Sequence, residues 1–259
     1  MRNLISGTHS GLGQFLLSEL GGTRWDRESE IDREESFDAI IHCAWPPSPP
    51  ESHRLLGKYL DDTLQNACKL LSVRHKKFVF ISSIDVYPKQ LDDDFNEDKE
   101  IPLDCPISIH GIHKLLVESL VLNKTDNFII IRCGALLGQT MRMNSLRKII
   151  ECEKPEISLS KESSFNLVLQ NDLSEFIKLC VLSDKIGVYN FVSTDNITLG
   201  EVVDKLNVEL SWGNFTYKSP NVSNAKSARI FPAINKTSFC ALDAFICQNA
   251  SKPKAVLVQ

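Results

Sequence analysis

The run Ser6-Gly7-Thr8-His9-Ser10-Gly11-Leu12-Gly13 has the clearest chemical content in the chain. It follows an apolar, strand-like stretch, Asn3 to Ser6, and opens onto a helical pattern at Gln14 to Leu20. Glycine allows a sharp turn with positive φ and leaves room for a ligand where a Cβ would stand. The helix start behind it offers unpaired N–H groups and the positive end of a dipole, which together suit an anion such as a pyrophosphate. A tight strand-to-helix turn could use the same glycines with nothing bound. The position between a buried strand and a helix favours the anion. A second cluster, Cys105, His110 and His113, has neither a carboxylate nor a fourth ligand at helical spacing, so no metal site is expected from it.

The elements needed to hold such a turn are legible. Ala39 to Ala44, Phe78 to Ser82 and Phe128 to Arg132 are, like Asn3 to Ser6, nearly all apolar rather than alternating, the pattern of strands buried on both faces of a parallel sheet. Between them lie helical stretches. Arg54 to Val73 places Leu56, Tyr59, Leu60, Leu64, Ala67 and Leu71 on one stripe; His110 to Leu122 and Ser174 to Leu182 follow. Strand–helix alternation predicts an α/β fold, a doubly wound parallel sheet with right-handed crossovers. Residues 20 to 39 are mostly polar and leave room only for an abbreviated second unit, and Lys89 to Asp104 reads as an acidic loop. Beyond about residue 135 the periodicity weakens into shorter runs, at Asn144 to Cys152, Asn166 to Leu169, Val188 to Val192 and Leu199 to Leu210. These predict a small mixed C-terminal lobe over the sheet's carboxyl edge.

With 259 residues, 42% hydrophobic and 24% charged, the chain has the balance of a soluble globular protein. A formal charge of −4 argues against nucleic acid or an anionic membrane as the main partner, since both call for a basic face. Without an apolar spanning run or a signal-like start, the expected location is cytoplasmic. Eight cysteines are scattered without a C-x-x-C pair and are read as buried, reduced thiols.

The order of several motifs resembles one family. The glycine turn, Ile41-His42-Cys43-Ala44, Phe80-Ile81-Ser82-Ser83-Ile84-Asp85-Val86-Tyr87, the helix at His110, Ile131-Arg132-Cys133-Gly134-Ala135-Leu136-Leu137-Gly138 and Gly187-Val188-Tyr189-Asn190 follow one another as in extended short-chain dehydrogenases/reductases. The likeness is to the nucleotide-sugar epimerase, dehydratase and ketoreductase group and covers roughly residues 1 to 195. The turn itself departs from that family's Gly-x-Gly-x-x-Gly fingerprint, reading Gly-x-x-x-Gly-x-Gly. The resemblance implies a Rossmann-like NAD(P)-binding domain over 1–138, with 164–195 returning to it. It leaves 139–163 and 196–259 for the substrate lobe. Gly7, His9, Ser10, Gly11, Leu12 and Gly13 would cradle the coenzyme, joined by Ala44 and Lys114.

In that family a Ser or Thr orients the substrate oxygen, and a Tyr-x-x-x-Lys pair on the next helix moves a proton and holds the nicotinamide ribose. Here the resemblance puts the serine at Ser83 and the lysine at Lys114. The tyrosine position holds His110, while Pro106, Ser108, Gly111 and Lys114 around it keep the family pattern. Imidazole is a competent acid or base, though shorter than a phenol. Two alternatives stay open: catalysis with His110 in the altered strip, or a coenzyme-binding sensor or partner protein that has lost turnover. Tyr87 corresponds to a tyrosine with a structural or binding role, and His113 is expected on an exposed side of the helix. The dehydratase acid–base pair is replaced by Ile84-Asp85, which disfavours dehydration and leaves reduction or epimerisation.

Coenzyme choice turns on Arg24-Trp25-Asp26-Arg27, where Asp26 suits a ribose 2′-hydroxyl and Arg24 a 2′-phosphate. The lean is to NADP. Arg142 and Asn144 are the candidates for a substrate diphosphate or sugar hydroxyl, with Asn224, Lys226 and Arg229 as a second polar cluster. The implied substrate is a nucleotide-activated sugar of polysaccharide synthesis. By analogy with relatives, the helices at Arg54 to Val73 and His110 to Leu122 would pair in a homodimer.

Overall fold

Six strands form one parallel sheet in the computed structural model, which describes residues 1–29, 34–44, 53–89 and 94–249. They are β1 (Asn3–Ser6), β2 (Thr23–Trp25), β3 (Ser36–His42), β4 (Arg74–Ser83), β5 (Phe128–Cys133) and β6 (Gly187–Phe191), in spatial order β6-β5-β4-β3-β1-β2. The helices are α1 (Gly11–Leu20), α2 (His53–Leu71), α3 (Ile109–Lys124), α4 (Ser145–Glu151), α5 (Gln170–Val181), α6 (Leu199–Leu206), α7 (Ala225–Ala228) and α8 (Ser238–Asn249). The strand order reverses between β1 and β3, which opens a crevice at the carboxyl ends of these strands.

The apolar runs explain the layering. Successive side chains of a strand point to opposite faces. Ile5, Ile41, Val79 and Ile129 accordingly pack with Leu16 of α1 and Phe176 of α5, while Leu4, Ile40, Phe78 and Ile130 pack with Ala67 of α2 and Val117 of α3. A sheet covered on both faces needs no polar alternation, and the expected α/β fold is the one observed. Leu56 and Tyr59 of the α2 stripe lie outside the described side chains; Leu64, Ala67 and Leu71 of that stripe pack against this core.

The second unit is indeed short: β2 has three residues, and the chain re-enters the sheet at Ser36. Pairing aligns the strand ends, Ser6 beside both Trp25 and His42, and Ser83 beside Cys133. Residues just past these positions therefore meet along one edge.

A second core joins Leu137, Leu146, Leu167, Leu169, Val202 and Leu242. Its membership crosses the expected boundaries, because the short strands Ala135–Leu137 and Leu167–Leu169 pair with each other outside the main sheet. Ile234 and Phe231, assigned by sequence to the lobe, instead pack against the sheet core. The C-terminal helix α8, absent from the sequence reading, covers Leu167–Leu169. No helix among the described residues is long and apolar enough to cross a membrane.

Cysteine placement differs from expectation in part. All eight are free thiols, but only Cys133 and Cys180 are fully buried, and Cys68, Cys240 and Cys247 are exposed. Lys77 is buried on β4 and donates to the carbonyls of Cys180, Ser183 and Lys185, closing the C-terminal end of α5 with a cation. Lys77→Met keeps the stem but strands these carbonyls. It is expected to cost about 2 kcal/mol, read as a lower urea midpoint; an unchanged midpoint would show the cap to be inert.

Candidate active site

The glycine turn is shaped by contact as well as by conformation. Gly7 has φ +75°, and a Cβ there would lie 2.7 Å from the Ala44 Cα at the end of β3. A Cβ on Gly13 would meet the Gly7 carbonyl oxygen at 2.2 Å, so that glycine lets α1 sit against the turn. α1 begins at Gly11, three residues before the expected Gln14, with no side chain capping its first turn and no acidic residue in it. Its N–H groups thus remain available to an anion.

Beside the turn lies a cleft of about 440 Å³, lined by Gly7, His9, Ser10, Asp26 and Ala44 among others. Exposed His9 places Nδ1 3.1 Å from the Asp26 carboxylate. Arg24 is turned back onto the loop, donating from Nε to Thr8 Oγ1 at 2.8 Å and from Nη2 to the Thr8 carbonyl at 3.2 Å. Arg27 pairs with Asp62 of α2 at 3.1 Å. Leu12 lies on the inner side of α1 and packs on the core.

Arg142, a candidate for a diphosphate or a sugar hydroxyl, lies at the glycine turn. Its side chain runs over the glycine turn, where a methyl on Gly11 would touch it at 3.7 Å, and it lines this same cleft. Asn144, two residues on, caps α4 by accepting from the Arg147 N–H at 2.9 Å. It borders a separate apolar pocket of about 280 Å³ with Leu136, Phe165, Phe215 and Tyr217. Asn224 is a brace, its amide donating to the Val192 carbonyl at 3.0 Å, and Lys226 lies 4.8 Å over the Tyr189 ring. Arg229 is exposed.

At the end of β4 the candidate strip assembles around one turn. Ser83 Oγ accepts from the Asp85 N–H at 3.1 Å, capping the short helical turn Ile84–Val86. α3 presses against that turn, since a Cβ on Gly111 would lie 2.0 Å from the Asp85 carbonyl oxygen. Ser108 caps α3 by accepting from the Gly111 N–H at 3.0 Å. Lys114, one helical turn beyond His110, is buried and donates from Nζ to the Ile81 carbonyl at 2.7 Å. Burial pushes its ammonium down to about 7, with the thiols of Cys133 and Cys43 and the Glu118 carboxylate pulling the other way. His110 is half-buried, and burial, then the Lys114 charge, hold its imidazole at about 4. His110 is therefore neutral near pH 7. His113 is only 2% exposed, against expectation, because α3 is covered on that side too.

Two residues that sequence reasoning did not name for the site join Asp85 at this turn. Tyr217, from the weakly patterned C-terminal region, donates its hydroxyl to Asp85 Oδ1 at 2.7 Å. Lys89 Nζ sits 2.8 Å from the same oxygen and 3.7 Å over the Tyr217 ring. Burial works to raise the Asp85 pKa, but the charge and hydrogen bond of Lys89, aided by His110 and Tyr217, hold it below the usual carboxylate range. No periodicity marks Tyr217; only the folded chain brings it across 132 residues of sequence to Asp85.

Parallel strands, a glycine turn at the switch point, and a serine–lysine pair at the same edge define a dinucleotide-binding α/β fold of the short-chain dehydrogenase/reductase type. The family model for the NAD dependent epimerase/dehydratase family matches residues 17–169, and the chain belongs to that family. No curated protein matches the sequence. Among solved structures, a dTDP-4-dehydrorhamnose reductase from Bacillus anthracis str. Ames in complex with NADP is similar at TM-score 0.76 and 16% identity, covering 95% of this chain and 99% of that one. RMD from Pseudomonas aeruginosa complexed with NADPH has TM-score 0.71 and 19% identity, with 98% and 100% covered. UDP-glucuronic acid 4-epimerase from Bacillus cereus, in complex with UDP-glucuronic acid and NAD, has TM-score 0.74 and 16% identity, with 96% and 99% covered.

Proposed function

We propose that this protein is an NAD(P)-dependent reductase or epimerase of a nucleotide-activated sugar, with Ser83, His110 and Lys114 as its altered catalytic strip. The observation that carries the reading is the convergence, at one sheet edge, of a glycine cleft shaped for a pyrophosphate and the Ser83–Lys114 turn. The coenzyme, when bound, supplies or accepts hydride. Ser83 offers its hydroxyl to the substrate oxygen, and Lys114 supplies the positive charge beside it. Neutral His110 donates an N–H to that oxygen, the electrophilic role a neutral imidazole can fill. Arg142 reaches the pyrophosphate rather than the sugar, and Asn144 at the apolar pocket faces the substrate.

The carboxylate of Asp26 in the cleft supports a preference for NAD, in place of the lean to NADP. Asp26, beside His9, and Arg27, paired with Asp62, both line the cleft, while Arg24 is turned back onto Thr8. A 2′-phosphate would meet a carboxylate; a 2′-hydroxyl would be bonded by it.

The missing phenol favours one second reading, a coenzyme-binding protein without turnover. Anaerobic incubation with NADH and NADPH and a panel of 4-keto nucleotide sugars separates the two. The expected result is coenzyme oxidation with at least one sugar, faster with NADH. Coenzyme binding with no turnover across the panel would defeat the enzymatic reading.

A further inference from the structure

Asp85 stands two residues past Ser83, and the chemistry proposed above does not use its carboxylate. Its backbone N–H donates to Ser83 Oγ at 3.1 Å, so the hydroxyl and the carboxylate belong to one short turn. Two donors from different parts of the chain pin the carboxylate, and both use the same oxygen. Tyr217 gives its hydroxyl to Oδ1 at 2.7 Å, and Lys89 Nζ stands 2.8 Å from Oδ1. No hydrogen bond among the described residues reaches Oδ2, and the side chain is 18% exposed, open enough for a ligand to touch. An ionised carboxylate only accepts hydrogen bonds, and its two oxygens have room for about four. Burial works against the charge, but the Lys89 ammonium beside it keeps the group ionised.

The anchors are themselves held. The Tyr217 ring stacks on Phe165, with centroids 4.7 Å apart and 15° between the planes, and Lys89 Nζ lies 3.7 Å over the same ring. That ring also walls the apolar pocket bordered by Asn144. Tyr217 therefore bridges the pocket and the turn that carries Ser83. A carboxylate fixed there meets whatever extends from the pocket to the Ser83 hydroxyl.

We propose that Asp85 is a specificity-determining residue, its Oδ2 accepting the hydroxyl on the sugar carbon next to the reacting one. This role rests on the nucleotide-sugar reading above and deepens it. With Ser83 at the reacting oxygen, a carboxylate two residues along the same turn serves the neighbouring substituent. For a sugar reacting at C4 that substituent is the 3-hydroxyl, because C5 bears the ring oxygen instead. A hydroxyl donor suits this acceptor, whereas a phosphate or carboxylate at that place would meet like charge. A 3-deoxy sugar would bury the acceptor without a partner, the kind of mismatch that hydrogen-bonding sites reject strongly.

Calorimetric titration with UDP-, dTDP- and GDP-glucose tests the assignment. NADH is present throughout, since it cannot reduce a 4-hydroxyl, and the tightest binder is then compared with its 3-deoxy and 2-deoxy forms. The wild-type protein should bind the parent sugar at least about tenfold more tightly than the 3-deoxy form. Asp85→Ala should bring that ratio close to one and leave the 2-deoxy ratio unchanged. Should the alanine variant not fold, Asp85→Asn keeps the shape, replaces one acceptor oxygen by a donor, and should cut the 3-deoxy ratio severalfold. A 3-deoxy ratio that survives substitution would overturn the role, as would a wild-type ratio near one. Equal changes in the 2-deoxy and 3-deoxy ratios would also overturn it, because a merely structural ion pair acts on every ligand alike. Binding of NADH with none of the three nucleotide sugars would instead remove the nucleotide-sugar reading itself, and this role with it.

Discussion

Glu118→Ala should lower stability by about 3–5 kcal/mol, the cost of leaving a buried charge without its partner. Glu118 lies on α3 one turn beyond Lys114, and its carboxylate accepts from Ser82 Oγ and from Arg132 Nε and Nη2, the last at 2.7 Å. Both members of the pair are almost fully buried. Arg132 also donates to the Tyr87 hydroxyl at 2.8 Å, which donates onward to Asn190 Oδ1 at 2.9 Å. The chain of bonds runs through Tyr87 and ties α3, β4, β5 and β6 together behind the site. Burial works to lower the Arg132 pKa, yet its hydrogen bond and ion pair with Glu118 hold it above the ordinary guanidinium value. Guanidinium denaturation of Glu118→Ala should show the loss as a lower midpoint at unchanged slope. The paired change Glu118→Leu with Arg132→Met should recover much of it, because removing both charges removes the unpaired one. Equal loss in the single and paired variants would mean that packing, not charge, is what the pair contributes.

His110→Ala should reduce turnover by about two orders of magnitude or more, the usual cost of removing a preorganised hydrogen-bond donor to a developing oxyanion. Coenzyme affinity should hardly change, because the cleft lies at the glycine turn and Lys114 stays bonded to Ile81. His110→Tyr separates two cases. A loss of activity identifies the imidazole as the working group; a gain shows that the remaining strip is intact and that histidine had silenced it. The protonation state is open to direct measurement. With burial and Lys114 depressing the imidazole to about 4, its ring carbon resonances should not titrate between about pH 5.5 and 8. A midpoint near the ordinary histidine value would place His110 in water, away from the turn that holds Ser83.

The helices and strands were readable because they are set by local pattern. Unbroken apolar runs at Ala39 to Ala44 and Phe128 to Arg132 can only be satisfied by cover on both faces, and the sheet supplies it. The glycine turn was equally plain, since only glycine tolerates φ +75° at Gly7 with the Ala44 backbone 2.7 Å from where a Cβ would be. Ser83, His110 and Lys114 were singled out by their order; Ser83 ends β4, and His110 and Lys114 lie on α3.

What pattern could not supply was the partner of each charge. In sequence Arg24-Trp25-Asp26-Arg27 offers both a carboxylate for a 2′-hydroxyl and guanidinium groups for a 2′-phosphate, with nothing to say where each one points. In the fold Arg24 turns to Thr8 and Asp26 faces the cleft, because side-chain direction at the end of a three-residue strand depends on the neighbouring loop. Arg142 was a candidate for a diphosphate or a sugar hydroxyl from its place after Gly138, and only the fold shows it reaching back over Gly11. His113 was expected in solvent from helical spacing alone, but the surface laid against α3 covers it.

The chain's own order of residues therefore determined the parallel α/β architecture, the anion-shaped turn and the histidine standing where a phenol is usual. Local sterics and apolar periodicity act over a few residues and leave their mark in the linear string. The tertiary structure alone decided that Tyr217 meets Asp85 and that Arg142, Asn66 and His42 line one cleft. Such contacts join segments far apart in sequence, and a hydrogen bond or ion pair exists only once the fold has fixed both distance and direction.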